Sequence, residues 1–336
     1  MTRTKTIIYL LDAYFSYISG KIKTGYPPLK LWVETTSRCN LACSVCLNKD
    51  LGQNQKGDMD FNLYRKIMDE AKDFVFEVNL FHRGEPLMHP GIADMVSYAN
   101  KNSIKTCIHT NGVLMDNDIG SKLIKAGLTK ISFSVDNCDR DVYEATRSGA
   151  DFEKTLENIT GFLALKKQLK SKTPFTIIQL METGDELVRP GKQKIKKNQE
   201  IKYFADRFAG TLPDRFTVRK MHNWGGNLKP GASYDKNPVI KTCTFPWYSL
   251  TVFFNGKVYL CPQDFNGEIC IGDLNKQSIR EVFNSEKVCN LRKDFKSKII
   301  SGINPCSACD RIRRSTRAGV PSEYFKSFLD DILRKT

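Results

Sequence analysis

Short runs of β-branched and aromatic residues alternate with amphipathic helical stretches from about residue 31 onward. The runs predict strands near 31–35, 75–81, 104–109, 130–135, 174–181 and 215–221. Apolar residues at helical spacing predict helices near 61–72, 90–102, 116–126, 152–169 and 197–208. Six such units indicate an α/β fold, a parallel sheet curved into a partial (β/α)6 TIM-like barrel. Ligands of such folds gather at the carboxyl ends of the strands.

The alternation of strands and helices stops near residue 240. Beyond that point Asn255-Gly256 separates the apolar runs 249–254 and 257–260, which is a strong hairpin signal, and a helix is predicted near 277–285. We therefore expect four parts. They are an N-terminal helix over 1–29, a barrel over 30–240, a small domain with a β-hairpin and a helix over 241–320, and a helical tail over 321–336.

The N-terminal segment carries apolar residues at helical spacing: Ile7, Leu10, Leu11, Tyr14, Phe15 and Ile18. Asp12, Ser16 and Gly20 interrupt this segment, which is shorter than the ~20 apolar residues that span a bilayer. No small-residue cleavage signal of a signal peptide follows it. We expect a helix packed on the main body rather than a transmembrane segment, with peripheral membrane contact as the alternative.

The cysteine content points to metal ligation. The 336 residues include 11 cysteines, an odd number, and 40% of the residues are hydrophobic and 26% charged, as in ordinary globular proteins. A chain of 38.3 kDa is too large for a disulfide-stapled mini-protein. Thiolate ligands suit a reducing compartment, so the expected location is the cytoplasm.

The formal net charge of +15 would attract polyanions. Basic residues gather in 166–172, 192–197 and 311–317. Nucleic acid, phosphorylated sugars and an anionic membrane surface all fit this charge. The lysine runs lack interleaved aromatic residues, so they fit a solvated surface equally well.

Cys39, Cys43 and Cys46 form a C-x3-C-x2-C run directly after the first predicted strand. Three thiolates offered to a centre that takes four leave one coordination position open, as on one iron of an iron–sulfur cluster. Zinc and three unrelated buried thiols are the competing interpretations.

The later strand ends carry polar segments. Gly84-Glu85-Pro86 follows the second strand, Asn111-Gly112 the third, and Ser134 and Asp136 lie at the end of the fourth. Each segment alone is ordinary turn chemistry. A glycine there lets backbone approach a ligand closely, and a carboxylate can bind an ammonium group.

Taken together, the cysteine run, Arg38-Cys39-Asn40-Leu41 and the polar strand ends resemble the radical S-adenosylmethionine (SAM) superfamily. In that family SAM chelates the unique iron of a [4Fe-4S] cluster. Two positions depart from its pattern. Arg83 stands at the first glycine of its G-G-E-P motif, and Val45 stands where an aromatic residue often lies.

The resemblance implies roles for individual residues of this chain. Gly84, Glu85 and Pro86 would hold the SAM amino group, with Asn111 beside them. Ser134 would contact the ribose or the methionine part, and Arg147 would pair with the SAM carboxylate, for which a bidentate guanidinium is well suited.

Cys243, Cys261, Cys306 and Cys309 can form a closed four-thiolate site. Zinc and [4Fe-4S] both satisfy such a site. The order of these cysteines resembles the SPASM or twitch extension of radical SAM enzymes. Because no cysteine follows Cys309, the resemblance implies one auxiliary [4Fe-4S] cluster rather than two.

Further candidates lie near the same pocket. His222 and Glu182 follow or end the last two predicted strands, together with Gln179, and Cys270 lies in the small domain. Cys270 is the candidate hydrogen donor to a substrate radical, with structural packing as its alternative role. We interpret Cys107 as a core residue and Cys289 as a packing residue.

By resemblance, reductive cleavage of SAM supplies a 5′-deoxyadenosyl radical that abstracts a substrate hydrogen. The first hypothesis is an oxidoreductase, a dehydrogenase or an epimerase, that acts on an alcohol carbon of a sugar, cyclitol or similar anionic small molecule. It would receive electrons from flavodoxin or ferredoxin. The alternatives are a maturase that modifies a ribosomally made peptide, and a zinc-containing nucleic-acid-binding protein, which the cysteine run at a strand end disfavours.

Overall fold

A parallel sheet organises the first two thirds of the chain. The computed structural model describes residues 3–182, 196–228, 243–322 and 325–333. Within them, the first six strands pair side by side in chain order, and every pairing is parallel. The strands are β1 (Lys30–Val33), β2 (Glu77–Asn79), β3 (Lys105–Thr110), β4 (Lys130–Asp136), β5 (Phe175–Glu182) and β6 (Arg215–Lys220). All six lie where the sequence predicts them.

Helices connect consecutive strands, as parallel pairing requires. Aspartates cap several of their first turns: Asp60, Asp116, Asp139 and Asp151 each accept a hydrogen bond from a backbone N–H of the helix that follows. The helices are α1 (Arg3–Ser19), α2 (Phe61–Ala71), α3 (Ile92–Lys101), α4 (Asn117–Lys125), α5 (Arg140–Thr146), α6 (Phe152–Gln168) and α7 (Lys197–Arg207). Of these, α5 is not predicted by the sequence.

Alternation along the strands separates the apolar core from the polar interior of the sheet. On β4, Phe133 packs against Phe162 of α6 with ring centroids 5.5 Å apart. Ser132 and Ser134 point to the opposite face because successive side chains alternate in a strand. The side of the sheet away from the helices therefore carries polar groups.

The C-terminal strands extend the same sheet. β7 (Ser249–Val252) pairs in parallel with β1, and β8 (Lys257–Tyr259) and β9 (Cys270–Asp273) follow in antiparallel pairing. Within the described residues the sheet has nine strands in the order β6-β5-β4-β3-β2-β1-β7-β8-β9. The predicted hairpin is confirmed, and it is continuous with the barrel sheet.

Short elements complete the C-terminal part. They are α8 (Phe245–Tyr248), α9 (Ile279–Phe283), α10 (Glu286–Ser297), the two-residue strands β10 (Thr316–Arg317) and β11 (Val320–Pro321), and α11 (Phe325–Leu333). The helix predicted near 277–285 is α9, whereas α10 is not predicted. The predicted domain boundary at 240 and most of the basic run 192–197 lie outside the described residues.

The N-terminal helix α1 packs on the main body, as predicted. Ala13 and Ser16 are buried, and Tyr17 meets Trp247 edge to face with centroids 5.9 Å apart. No helix in the described parts of the chain combines the length and the apolar character needed to cross a membrane.

Candidate active site and second cysteine site

The cysteine run follows β1 and is fixed by backbone hydrogen bonds. Ala42 N donates to Ser148 O at 3.0 Å and Ser44 N donates to Thr146 O at 2.8 Å. These bonds attach the loop to the end of α5, directly beside Arg147. The sequence-predicted neighbours Cys39–Cys46 and Arg147 are thus brought together.

The three thiols of this loop lie within electrostatic range of one another. Burial raises the pKa of Cys39 to about 12, and the charges of Glu85, Cys43 and Cys46 add to this effect. Burial also raises the pKa values of Cys43 and Cys46. Thiols in such a place ionise only when a cation compensates the charge, and a metal centre does this. The donor set therefore fits a cluster.

The described residues contain no group of three or more His, Cys, Asp or Glu side chains with the geometry of a single-ion site. An iron–sulfur cluster makes a different demand, because its thiolates attach to different irons and need not converge on one point.

Gly84 lies against the backbone that precedes the cysteine run. A Cβ atom at this position would lie 2.4 Å from the carbonyl oxygens of Thr36 and Arg38. Glu85 N donates to Arg38 O at 2.8 Å. Only glycine permits this approach, so the end of β2 is locked to the start of the cysteine loop.

The Glu85 carboxylate joins the ends of β2 and β3. Its Oε1 accepts from Thr110 Oγ1 at 2.7 Å and from Leu87 N at 3.1 Å, and its Oε2 accepts from Asn111 N at 2.8 Å. Asn111 Nδ2 donates to Asn40 Oδ1 at 2.9 Å, within the cysteine run. Pro86 is buried at the start of the short turn that follows. Direct contact of Glu85 with SAM stays a prediction.

Arg147 is held by Asp136. Its Nε donates to Asp136 Oδ2 at 2.9 Å and its Nη2 lies 2.6 Å from the same oxygen. Asp136 has φ of +62°, a left-handed backbone that is uncommon for a residue other than glycine. Its Oδ1 is buried with no hydrogen-bond partner among the described residues. An unpaired buried oxygen at this place is suited to a ligand that donates a hydrogen bond.

A pair of polar side chains occupies the sheet interior beside this arginine. His109 Nε2 on β3 makes a short hydrogen bond with Ser134 Oγ on β4. Burial lowers the pKa of His109 to about 3, with the charges of Arg219 and Arg147 adding to this effect, so the ring is neutral at neutral pH. The sequence prediction does not include His109, because it takes the polar segment after the third strand, Asn111-Gly112, as the candidate site.

The second cysteine set lies where the chain leaves β6. Asn223 Nδ2 donates to Ala308 O at 2.7 Å, and Asp310 N donates to Asn223 Oδ1 at 3.1 Å. The Asn223 side chain thereby binds the backbone on both sides of Cys309 and fixes the Cys306-x2-Cys309 turn. A Cβ atom at Gly225 would lie 2.5 Å from Pro305, so the loop after β6 is packed closely on this turn.

The four thiols of this set affect one another. Burial raises the pKa of Cys261 well above its usual value, and the charges of Cys306, Cys243 and Cys309 raise it further. As in the first loop, ionisation of these buried thiols requires a compensating cation. The prediction that these four cysteines act together is consistent with this arrangement.

Arg311 is a site residue that the sequence does not reveal. Its guanidinium donates to the Cys243 thiol, and its central carbon lies 4.2 Å from the Phe245 ring centroid. The charges of Tyr248, Cys243, Cys309 and Cys261 all act on it. In the sequence Arg311 begins a basic run with the pattern of a surface patch, and only the fold shows that it faces the thiols.

His222 follows β6, one residue before Asn223, which binds the Cys306-x2-Cys309 turn. Its ring centroid is 6.1 Å from that of Trp224, which is 5.1 Å from that of Phe265. Burial lowers the pKa of His222 well below its usual value, and Arg314, Arg219 and Arg311 add to this effect. His222 is therefore neutral and close to the second site.

Two other candidates lie further out. Glu182 is the last residue of β5 and lies opposite Lys220 of β6 in the register of the two parallel strands. The Cys270 thiol donates to Gly272 O at 3.5 Å on β9, three strands from β1. None of the contacts seen among the described residues joins Cys270 to the first cysteine loop, so its role as hydrogen donor stays a prediction.

Two sequence families match the chain. A model of the radical SAM superfamily matches residues 33–188, and a model of the SPASM iron–sulfur cluster-binding domain matches residues 243–310. The chain belongs to the radical SAM superfamily and carries a C-terminal SPASM domain. It is therefore a radical SAM enzyme with iron–sulfur clusters and SAM as its cofactors.

Curated relatives resemble part of the chain. A tungsten-containing aldehyde ferredoxin oxidoreductase cofactor-modifying protein of Pyrococcus furiosus is 38% identical over 109 residues, 32% of this chain and 30% of that protein. Mycofactocin maturase MftC of Mycobacterium tuberculosis is 30% identical over 145 residues, 41% of this chain and 37% of that protein. The matched region thus spans about a third of each relative.

Solved structures resemble the whole architecture. BtrN in complex with AdoMet and 2-DOIA matches with a TM-score of 0.56 and 18% identity, over 88% of this chain and 95% of that one. Streptococcus suis SuiB bound to precursor peptide SuiA matches with a TM-score of 0.63 and 16% identity, over 89% of this chain and 73% of that one. The predicted partial barrel with C-terminal strands and helix is confirmed.

Proposed function

We propose that this enzyme uses radical SAM chemistry to modify a peptide, by oxidising or crosslinking a residue of a ribosomally made chain. The likeness to the maturase MftC and to the fold of SuiB, which was solved with its precursor peptide, supports this choice over the oxidation of a sugar.

The structural observation that carries the proposal is the edge of the sheet at β6. In the part of the chain that the structure describes, no strand pairs with the outer side of β6. The residues of β6 are half-buried or exposed, whereas the middle of β5 is buried. Extended peptides bind sheet edges by adding a strand. A peptide on this edge would lie alongside β6, whose carboxyl end leads to His222 and to the second cysteine site.

The residues of the first site have distinct tasks in this proposal. Cys39, Cys43 and Cys46 would hold the cluster, which together with SAM would supply the radical chemistry that removes a hydrogen atom from the substrate. Gly84 and Glu85 fix the strand ends that would surround SAM, Ser134 would contact its ribose or methionine part, and Arg147, oriented by Asp136, would pair with its carboxylate. Asn111 holds the cysteine loop beside the end of β3 through its hydrogen bond to Asn40.

The second site completes a two-electron oxidation. Loss of one hydrogen atom leaves a substrate radical, and its oxidation releases one more electron and a proton. Cys243, Cys261, Cys306 and Cys309 would hold the auxiliary [4Fe-4S] cluster that accepts this electron. A cytoplasmic flavodoxin or ferredoxin would supply the electron for SAM cleavage.

A second candidate is oxidation or epimerisation of an alcohol carbon in an anionic small molecule. Two observations favour it: the match to BtrN covers 95% of that chain, and the charge of Arg219 acts on His109 inside the sheet. A cation at this place would attract an anionic group.

The two candidates differ in what stimulates SAM cleavage. The anaerobically reconstituted enzyme is incubated with SAM and dithionite, together with either a short peptide encoded beside its gene or a panel of phosphorylated sugars and cyclitols. The proposal predicts that only the peptide raises the formation of 5′-deoxyadenosine. Mass spectrometry should then show that the peptide has lost hydrogen. Stimulation by a sugar or cyclitol, with no change to the peptide, would contradict it.

A further inference from the structure

The outer face of α1 is an apolar surface on a helix that is already fixed to the protein. We define this face by Ile7, Ile8, Leu11, Phe15 and Ile18, whose exposed fractions lie between 43% and 63%. Ile7, Leu11, Phe15 and Ile18 follow one another at intervals of three or four residues, and Ile8 lies three residues before Leu11, so all five lie on one side of the helix. Of the 13 large hydrophobic residues exposed in the described chain, these five are joined by Tyr14 and Ile22 in the same segment.

The opposite face of α1 holds the helix in place. Ala13 and Ser16 are buried against the core, and Trp247 Nε1 donates to Lys21 O at 2.8 Å just beyond the helix. Tyr9, Leu10 and Tyr17 also pack against the core on this side. The helix therefore carries apolar residues on both faces, which is a pattern of helices buried on both sides. Its outer face has no cover among the described residues, and a contiguous exposed apolar surface of this kind marks an interaction site.

Basic residues flank this face along the chain. The first 23 residues contain four basic side chains, Arg3, Lys5, Lys21 and Lys23, and one acidic side chain, Asp12. At Gly20, a Cβ atom would lie 2.6 Å from Cγ of Lys296, so the last turn of α10 lies beside the end of α1. That turn leads to exposed Lys298 and to Ile299, which is 65% exposed.

We propose that the outer face of α1 docks this enzyme on an anionic membrane surface, with its apolar residues at the level of the headgroups and its lysines on the phosphates. Apolar residues bordered by lysine and arginine are the pattern of interfacial helices. A second copy of the chain fits less well, because a symmetric contact would bring the same lysines of two chains of net charge +15 together. This inference is independent of the proposed peptide substrate.

Vesicle sedimentation tests the proposal on the full-length holoenzyme. Phosphatidylcholine vesicles are compared with vesicles that also contain phosphatidylglycerol, for the wild type and for a double variant with Phe15→Ser and Ile18→Ser. We expect the wild type to bind only the anionic vesicles, less at high salt, and the double variant to bind at least about tenfold more weakly. Leu212→Ser removes an equally exposed apolar residue elsewhere and should leave binding unchanged.

A second variant keeps the test independent of helix stability. Lys21→Glu with Lys23→Glu changes only exposed side chains after the helix and should weaken binding to anionic vesicles while SAM cleavage is retained. Absence of vesicle binding, equal binding to both vesicle types, or equal binding by the Phe15/Ile18 variant would overturn the proposal. So would a wild-type dimer in light scattering that the same double variant converts to a monomer.

Discussion

Arg83 forms a two-point ion pair with Glu34, donating from Nε to Oε1 at 2.6 Å and from Nη2 to Oε2 at 2.9 Å, and both side chains are buried. Its guanidinium carbon lies 3.7 Å from the ring centroid of Phe253, and Glu34 also accepts from Phe254 N at 3.1 Å. The two phenylalanines follow β7. The arginine that stands at a family glycine position therefore ties the strand ends of the candidate SAM site to the hairpin that leads to Cys261.

Replacing Arg83 by methionine should strongly destabilise the protein. The substitution leaves the buried Glu34 carboxylate without the guanidinium that binds both of its oxygens, which costs about 3–5 kcal/mol. Urea unfolding followed by circular dichroism measures the loss. In the double variant Arg83→Met with Glu34→Gln, part of the stability should return because no unpaired charge remains. A loss below about 1 kcal/mol in the single variant would show that the pair contributes little.

The Arg83–Glu34 pair also predicts a pH dependence. Burial opposes ionisation of Glu34, but the hydrogen bonds and charges of Arg83 and His82 outweigh it and lower its pKa from 4.5 to about 2. A carboxyl with a depressed folded pKa stabilises the fold fully above its unfolded pKa and loses that contribution as the pH falls toward its folded pKa. The wild type should therefore lose stability relative to Glu34→Gln between about pH 5 and pH 3. Parallel unfolding curves of the two proteins over this range would contradict the assignment.

Asp136→Asn should weaken SAM binding without unfolding the protein. The neutral amide holds Arg147 less firmly, so the guanidinium loses its fixed orientation toward the SAM carboxylate. We expect roughly tenfold lower affinity for SAM, measured from the change in the electron paramagnetic resonance spectrum of the reduced first cluster. Arg140→Gln, which breaks an exposed ion pair with Glu144 on the same helix, is the matched control and should bind SAM normally. Equal SAM affinities of the wild type, Asp136→Asn and Arg140→Gln would contradict the assignment of Arg147 to the SAM carboxylate.

Arg311→Met should make the auxiliary cluster harder to reduce. Removing a positive charge that donates to Cys243 favours the oxidised cluster and should lower its reduction potential by roughly 30–60 mV. A redox titration followed by electron paramagnetic resonance measures this shift. Arg317→Met changes an exposed arginine of the same basic run and should leave the potential unchanged. An unchanged potential in Arg311→Met would show that its charge does not act on the cluster.

The local pattern of the sequence predicts the six core strands and the hairpin because each depends on residues close in the chain. Helix α5 was missed because seven residues carry too little periodicity. For α10 a signal is present, since Val288, Leu291 and Phe295 are buried at helical spacing, but lysines surround them. The parallel pairing of β7 with β1 joins residues more than 200 positions apart, and no local pattern specifies it.

The candidate site divides in the same way. The cysteine spacing and the strand-end segments are local, and their resemblance to the radical SAM superfamily predicts Cys39, Glu85 and Arg147 as neighbours. The structure brings their segments together. The support of these residues is not local. Asp136 orients Arg147 through a left-handed backbone, and Arg311 reaches Cys243 from a run that resembles a surface patch. Such partners become visible only when the fold places them.

The most direct test of the account is reductive SAM cleavage by anaerobically reconstituted protein, with the iron content measured on the same samples. The wild type should bind about eight irons per chain and form 5′-deoxyadenosine. Cys43→Ala should form none, whereas Cys306→Ala should still cleave SAM but yield no modified substrate. No 5′-deoxyadenosine from the wild type, or as much from Cys43→Ala as from the wild type, would contradict the account.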